Sequence, residues 1–199
     1  NSFEADLINK NGLQTAPVVS NVGPNITRTF GTYPSGSSHF YGHNLKASPD
    51  GQKVALAIKF EAYTQYNSSG VYLFDFNNSN GSLTNSLNLI PGKSFGLSSI
   101  QLLKDTCITF PMDVCFSQNS QKLYGTIVGR KVGSLLTINK DTIWGLHQWD
   151  LSSGNATTIQ NSFLQVYKVD TLKQYYASHY LHGGIEMLQR APSGKIYFN

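Results

Sequence analysis

The chain has 199 residues, 40% hydrophobic and 12% aromatic, enough for one all-β domain or two small ones with a sizeable core. Only 13% are charged, and the 15 basic residues that outnumber 11 acidic ones are scattered, with Arg130-Lys131 the densest cluster. That scatter excludes a nucleic-acid stripe, and no run of 18 apolar residues exists to span a membrane as a helix.

Taken in chain order, the segments fall into interleaved hairpins. The first is Phe3–Thr15, with Asn11-Gly12 at its turn. A polar stretch, Asn21–Ser38, separates it from a second pattern in which Leu45 precedes the turn Ser48-Pro49-Asp50-Gly51 and Val54, Leu56 and Ile58 follow in period two. Proline presets φ in such a turn and glycine tolerates a positive φ. Gly70–Thr84 then repeats the first hairpin, with its turn at Asn80-Gly81. After a mixed stretch, Lys93–Pro111, the second pattern returns as Phe116–Tyr124, and Thr142–Thr157 repeats the first once more around Ser153-Gly154. Tyr167–Leu181 is a third long connection, and Arg190–Tyr197 closes the chain on the second pattern with one residue dropped. Gly12, Gly81 and Gly154 align, which sets Trp149 against Phe76 and Leu7 as a core position. No helical pattern of useful length stands out, although Leu172–Leu181 has the composition for a turn or two.

With the strands of one unit named a to d, the chain reads c-d, a-b-c-d, a-b-c-d, a-b. Tandem four-stranded antiparallel units are the sequence signature of a β-propeller. The expected fold is therefore all-β, a partial propeller of about three blade-equivalents, with units near 1–38, 39–107, 108–181 and 182–199. The alternative is a β-sandwich of about twelve short strands. Val54, Leu56, Ile58, Val71, Leu73, Leu123, Ile127 and Ile196 are expected in the core.

Three stretches carry a family resemblance. Asn11–Gly23 (N-G-L-x-T-x-P-V-V-S-x-V-G), Leu45–Ala55 (L-K-A-S-P-D-G-x-K-V-A) and Gly70–Gly81 (G-V-Y-L-F-D-F-N-x-x-x-G) are similar to the propeller region of Bacteroidota gliding-motility-associated or type IX-secreted surface proteins, with WD40-like repeats. The continuation around Gln148–Gly154 and Leu188–Tyr197 fits the same pattern. The resemblance implies a secreted or cell-surface location. Its motifs are turns and strands, so it transfers no catalytic residue.

Candidate chemistry is sparse. His39 and His182 occupy equivalent places before strand a, and His43 corresponds to Met112 and Glu186. Inner strands line a propeller's axis, so His39, His182 and Glu186 form a candidate metal group, weighed against plain polar residues at strand entries. His43, Tyr175 and Tyr176 are candidate ligand contacts. Asp113 and Glu186 are the carboxylates nearest strand a, while Asp50, Asp75 and Asp150 read as turn residues. The asparagine-rich Asn77–Asn88 reads as a turn plus an exposed strand rather than a calcium loop. Cys107 and Cys115 match no zinc or redox spacing, leaving two buried thiols or a disulfide closing a loop around Pro111. No P-loop, dinucleotide fingerprint or G-x-S-x-G elbow occurs, and no cofactor is indicated.

The functional expectation is a non-catalytic binding or scaffold module presenting rim loops to a protein or glycan. The alternatives are a lactonase- or quinoprotein-type propeller enzyme with an axial site and a lectin-like sugar binder. Three units are too few for a closed ring, since propellers typically have 4–8 blades. The remaining blades of a larger propeller, or a second copy of the chain, are expected to complete it, and the isolated chain is expected not to be a stable monomer.

Overall fold

Runs of apolar residues between tight polar turns make the described residues mostly β-strand. The computed structural model describes residues 2–10, 12–13, 16–24, 39–61, 70–90, 106–132, 144–168 and 187–198. Among them, one four-stranded antiparallel sheet joins β5 (His39–Ala47), β6 (Lys53–Glu61), β7 (Gly70–Asn77) and β8 (Ser82–Asn88) in chain order. A second joins β9 (Thr106–Phe116), β10 (Lys122–Val132), β11 (Trp144–Asp150) and β12 (Leu164–Lys168) in the same order. Before them stands an interrupted hairpin in which β1 (Phe3–Ala5) pairs β4 (Val18–Ser20) and β2 (Ile8–Asn9) pairs β3 (Gly12–Leu13). After them, β13 (Leu188–Arg190) pairs β14 (Ile196–Phe198). No described helix is long and apolar enough to cross a membrane.

The sheets stack face to face, and β6 shows how. Ala55 and Ala57, with their cross-strand partners Leu73 and Val71, face Val114, Phe116, Leu123, Ile127 and Trp149 of the second four-stranded sheet. The intervening Val54, Leu56 and Ile58, with Tyr72 and Phe74, face the opposite way, onto Phe3 and Val22 of the N-terminal hairpin. Both faces of this sheet are therefore covered, which a two-layer sandwich would not do. Cys115 and Leu146, on the far face of the second sheet, in turn pack on Leu188 and Ile196. Of the expected core, Val54, Leu56, Ile58, Val71, Leu73, Leu123 and Ile127 are buried. Ile196 is only half-buried, because no described element packs on its sheet from beyond.

The a–b turns recur in hydrogen-bonding detail. Ser48 Oγ donates to Asp50 Oδ1 (2.5 Å) and accepts from Lys53 N (2.9 Å); Ser117 Oγ donates to Asn119 Oδ1 (2.8 Å) and accepts from Lys122 N (2.9 Å). Each turn ends on a lysine that pairs with an aspartate on strand c, Lys53 with Asp75 at 2.5 Å and Lys122 with Asp150 at 2.9 Å. These are also register partners, so Trp149 takes the place of Phe74 and not that of Phe76. Aligning the turn glycines misplaces it because the stretch from Asp150 to Gly154 is two residues shorter than that from Asp75 to Gly81.

Gly81 (φ 81°) and Gly154 (φ 65°) lie in turns as expected, whereas Gly12 (φ 100°) is the first residue of β3, paired with Asn9, and not a turn residue; Asn11 lies outside the described residues. Beyond Gly154 the chain does not enter strand d directly. A helix intervenes, α1 (Ala156–Asn161), capped by Asn155 Oδ1 accepting from Thr158 N at 3.0 Å. Six residues with one buried position, Ile159, are too few to print a helical period on the sequence. Strand β9 starts at Thr106, so the end of the expected Lys93–Pro111 loop is strand, and Pro111 sits on an edge strand beside a bulge, where its missing N–H is tolerated.

That strand excludes the disulfide expectation. Cys107 and Cys115 lie eight positions apart on β9, roughly 26 Å at strand rise, against at most about 7 Å between bridged Cα atoms. Cys115 is a buried free thiol, as the other expectation had it, while the Cys107 side chain lies outside the described part. In Asn77–Asn88 the expected turn and exposed strand are present, with Asn77 Oδ1 accepting from Ser79 N (3.0 Å) and Asn80 Oδ1 from Ser82 N (2.9 Å).

Trp149 anchors the inter-sheet core. It is fully buried, donates from Nε1 to Leu89 O at 3.2 Å, and lies over Gly125, where an added Cβ would come within 2.9 Å of Cζ3. Replacing Trp149 by Ala is expected to cost about 3–5 kcal/mol in urea unfolding. Gly125→Ala is expected to cost about 1–3 kcal/mol by overpacking, and that penalty should shrink when Trp149 is Leu.

The two ion pairs predict acid sensitivity. Partial burial raises the Asp75 carboxyl, but hydrogen bonds from Lys53 and Asn85 outweigh it and leave it below the usual range. Ser152 and Lys122 hold Asp150 well below that range. A depressed folded pKa contributes stability that is complete above the unfolded value, about 3.9, and is lost as pH falls through the folded value. The urea midpoint should therefore drop on acidification below about pH 4, and an Asp75→Asn/Asp150→Asn variant should show a flatter profile there.

Candidate functional site

Of the candidate residues of the sequence, His39, His43 and Asp113 lie on strand a, and the first strands β5, β9 and β13 carry polar contacts from sheet to sheet. Strand a is the edge strand of both four-stranded sheets among the described residues. On β5, Asn44 Nδ2 donates to Met112 O of β9 at 2.9 Å. The equivalent residue on β9, Asp113, is 1% exposed. Its Oδ1 accepts from Val114 N at 2.8 Å and its Oδ2 from Leu188 N of β13 at 2.7 Å. Thr126 Oγ1 accepts from Asp113 N at 3.0 Å. Each sheet is thus fastened to the next by one side chain from the same position of strand a.

This geometry decides Asp113. A buried carboxylate needs partners for its oxygens, and both oxygens of Asp113 are engaged with main-chain N–H groups, one across the sheet boundary. The arrangement orients strand β13 on β9. Its companion in the sequence reading, Glu186, lies outside the described residues, as do His182, Tyr175 and Tyr176.

His43 lies on β5, and His39, expected just before strand a, is the first residue of that strand. His39 is the register partner of Glu61 and His43 of Ile58, with a bulge between Tyr41 and His43. A bulge also interrupts β9 between Pro111 and Asp113, so both a strands bend near their sheet-to-sheet contacts. The side chains of His39 and His43 lie outside the described part. Among the described residues no three His, Cys, Asp or Glu side chains gather as a metal group.

A histidine the sequence did not single out is His147. It is fully buried on β11 and stacks on Phe163, ring centroids 4.8 Å apart and planes 3° from parallel. Phe163 also touches Trp149 at 5.3 Å. The signal was legible: His147 and Trp149 are two apart on one strand and share its core face. The a–b turns add exposed ties along one rim, where Asp50 N donates to Ser120 Oγ at 3.2 Å and Arg190 Nη1 to Gln118 Oε1 at 2.7 Å.

Asp113 should behave as a sheet fastener. Asp113→Ala strands two buried N–H groups, and a cost of about 2–5 kcal/mol is expected in thermal or urea unfolding. Asp113→Asn keeps one carbonyl acceptor and should lose less. Hydrogen exchange should quicken at Leu188 in both variants while the β6–β7 amides keep their protection. No protein-family model, curated protein or solved structure matches the chain.

Proposed function

We propose that this chain forms three blade-equivalents of a β-propeller and acts as a non-catalytic binding or scaffold module of a secreted or cell-surface bacterial protein, offering its rim loops to a protein or glycan partner. The observation that carries the reading is the use of strand a. Its polar side chains there, the half-buried Asn44 and the buried Asp113, are spent joining one sheet to the next. Two four-stranded sheets with the same strand order, stacked through apolar faces, support the propeller architecture. The likeness of Asn11–Gly23, Leu45–Ala55 and Gly70–Gly81 to Bacteroidota surface propellers supports the location.

In this reading the conserved-geometry parts, sheets and a–b turns, form the scaffold. Recognition belongs to the long connections, and Tyr175 and Tyr176, which the sequence sets in one of them, carry aromatic rings of the kind that stack on a sugar ring or pack on a protein. Wild-type protein and a Tyr175→Ala/Tyr176→Ala variant, screened on a glycan array and against cell-surface extracts, test it. Binding that weakens at least about tenfold in the variant, about 1.4 kcal/mol, with an unchanged melting temperature, is the expected result. Turnover of lactone or alcohol substrates that is abolished by His39→Ala would overturn it in favour of an axial enzyme site.

A further inference from the structure

The turn between β7 and β8 holds an asparagine in a reactive arrangement. Asn80 is exposed and is followed by Gly81, whose φ is 81°. The Asn80 side chain folds over the chain that follows it, Oδ1 accepting from Ser82 N at 2.9 Å. This Asx turn holds the amide carbon Cγ on the side of the Gly81 peptide, four bonds along the chain from the Gly81 nitrogen. Holding a nucleophile and its target together in this way lowers the entropic cost of their reaction. The Ser82 N–H also sits on the oxygen that gains negative charge when a nucleophile adds to Cγ, as an oxyanion donor does.

Three other asparagines among the described residues make the same turn. Asn77 Oδ1 accepts from Ser79 N, Asn88 Oδ1 from Ile90 N and Asn119 Oδ1 from Gln121 N. Each of them is followed by a residue with a side chain, Asn78, Leu89 or Ser120, which crowds the approach of the nitrogen. Glycine has no Cβ to do so. A hydrogen bond opposes the attack at Asn80, since Gly81 N donates to Asn77 O at 2.7 Å. At an exposed turn such a bond is worth about 1 kcal/mol, so opening it slows the attack roughly fivefold. At Asn88 the obstacle is larger, because Leu89 is buried and its N–H joins the sheet at Val71 O, 2.8 Å away.

We infer that Asn80 is a site of self-modification in the folded chain, its side-chain amide converting through a succinimide to aspartate and isoaspartate. Hydroxide takes the Gly81 amide proton, and the Gly81 nitrogen bonds to Cγ. The Cγ–Nδ2 bond then breaks, Nδ2 taking a proton from water and leaving as ammonia. A water molecule opens the five-membered ring. Opening at the side-chain carbonyl gives isoaspartate or aspartate according to which ring C–N bond breaks: the bond to Cγ for aspartate, the bond to the main-chain carbonyl carbon for isoaspartate. Water is consumed and ammonia released, and nothing is oxidised or reduced. Either product adds a negative charge to a chain of formal net charge +4. Isoaspartate also adds a carbon atom to the main chain, inside the turn that the Asn77–Ser82 pairing closes. The chemistry is independent of what the module binds.

Peptide mapping by mass spectrometry tests it on the full 199-residue chain, kept folded in warm, mildly alkaline buffer beside the same chain unfolded in guanidinium chloride. The unfolded chain reports the rate of the Asn-Gly sequence alone. The expected result is a gain of one mass unit at Asn80 in the folded chain, at a rate less than about tenfold below that of the unfolded one. Asn77, Asn88 and Asn119 should stay unchanged over the same period. An isoaspartate-specific methyltransferase should label the same peptide. Asn80→Gln keeps an amide but sets its carbon one bond too far for a five-membered ring, and should abolish both signals. An Asn80 that stays intact, that converts more than about tenfold slower than in the unfolded chain, or that is overtaken by another of these asparagines overturns the inference.

Discussion

The constraint on which this molecule depends is that its central sheets must bury both faces. An antiparallel sheet in a two-layer protein alternates apolar and polar residues, because one face meets water. Strand β6 does not alternate. Val54, Ala55, Leu56, Ala57 and Ile58 are all buried. The alternation survives as one of size: alanines face the sheet that carries Trp149, and larger branched residues face the N-terminal hairpin. Small residues on one sheet leave room for the indole of the next, and the same complementarity removes the Cβ from Gly125 beneath it. Stacking is thus written in side-chain volume as well as hydrophobicity.

Apolar burial is non-directional and leaves the offset between stacked sheets undetermined. Polar ties fix that offset. Asn44 and Asp113 bind main-chain groups of the following sheet, Trp149 Nε1 and Gln160 Nε2 reach Leu89 O and Asn88 O, and Ser20 Oγ accepts from Leu83 N. Each joins one sheet to its neighbour at a single position. The low charge content fits this economy. Asn, Asp and Ser oxygens cap turn N–H groups at Asp50, Asn77, Asn80, Asn88, Asn119, Asp150 and Ser153. The asparagine-rich composition is the turn chemistry of a many-stranded protein.

A scaffold held this way can vary its connections freely. Its rigid parts use the same residues in the same roles twice over, while the long segments between them differ in length and composition. Under the binding-module reading, specificity resides in those segments.

The sequence by itself determined the strand order c-d, a-b-c-d, a-b-c-d, a-b, the a–b turns and most of the core. Those features are local, since Ser, Asp or Asn, and Gly in a short turn, and period-two apolar runs, act within a few residues. It did not determine α1, whose six residues are too short to show a period, nor the strand through Pro111, where an edge position excuses the missing N–H. It mismatched Trp149 with Phe76, because turn length is free to change while the cross-strand partner of Leu123 is not. Only the tertiary structure decided that Asp113 is a fastener between sheets, that Cys107 and Cys115 are far apart, and that His147 stacks on Phe163. Each of those depends on which residue of a distant strand lies opposite, a matter of stacking that no local pattern records.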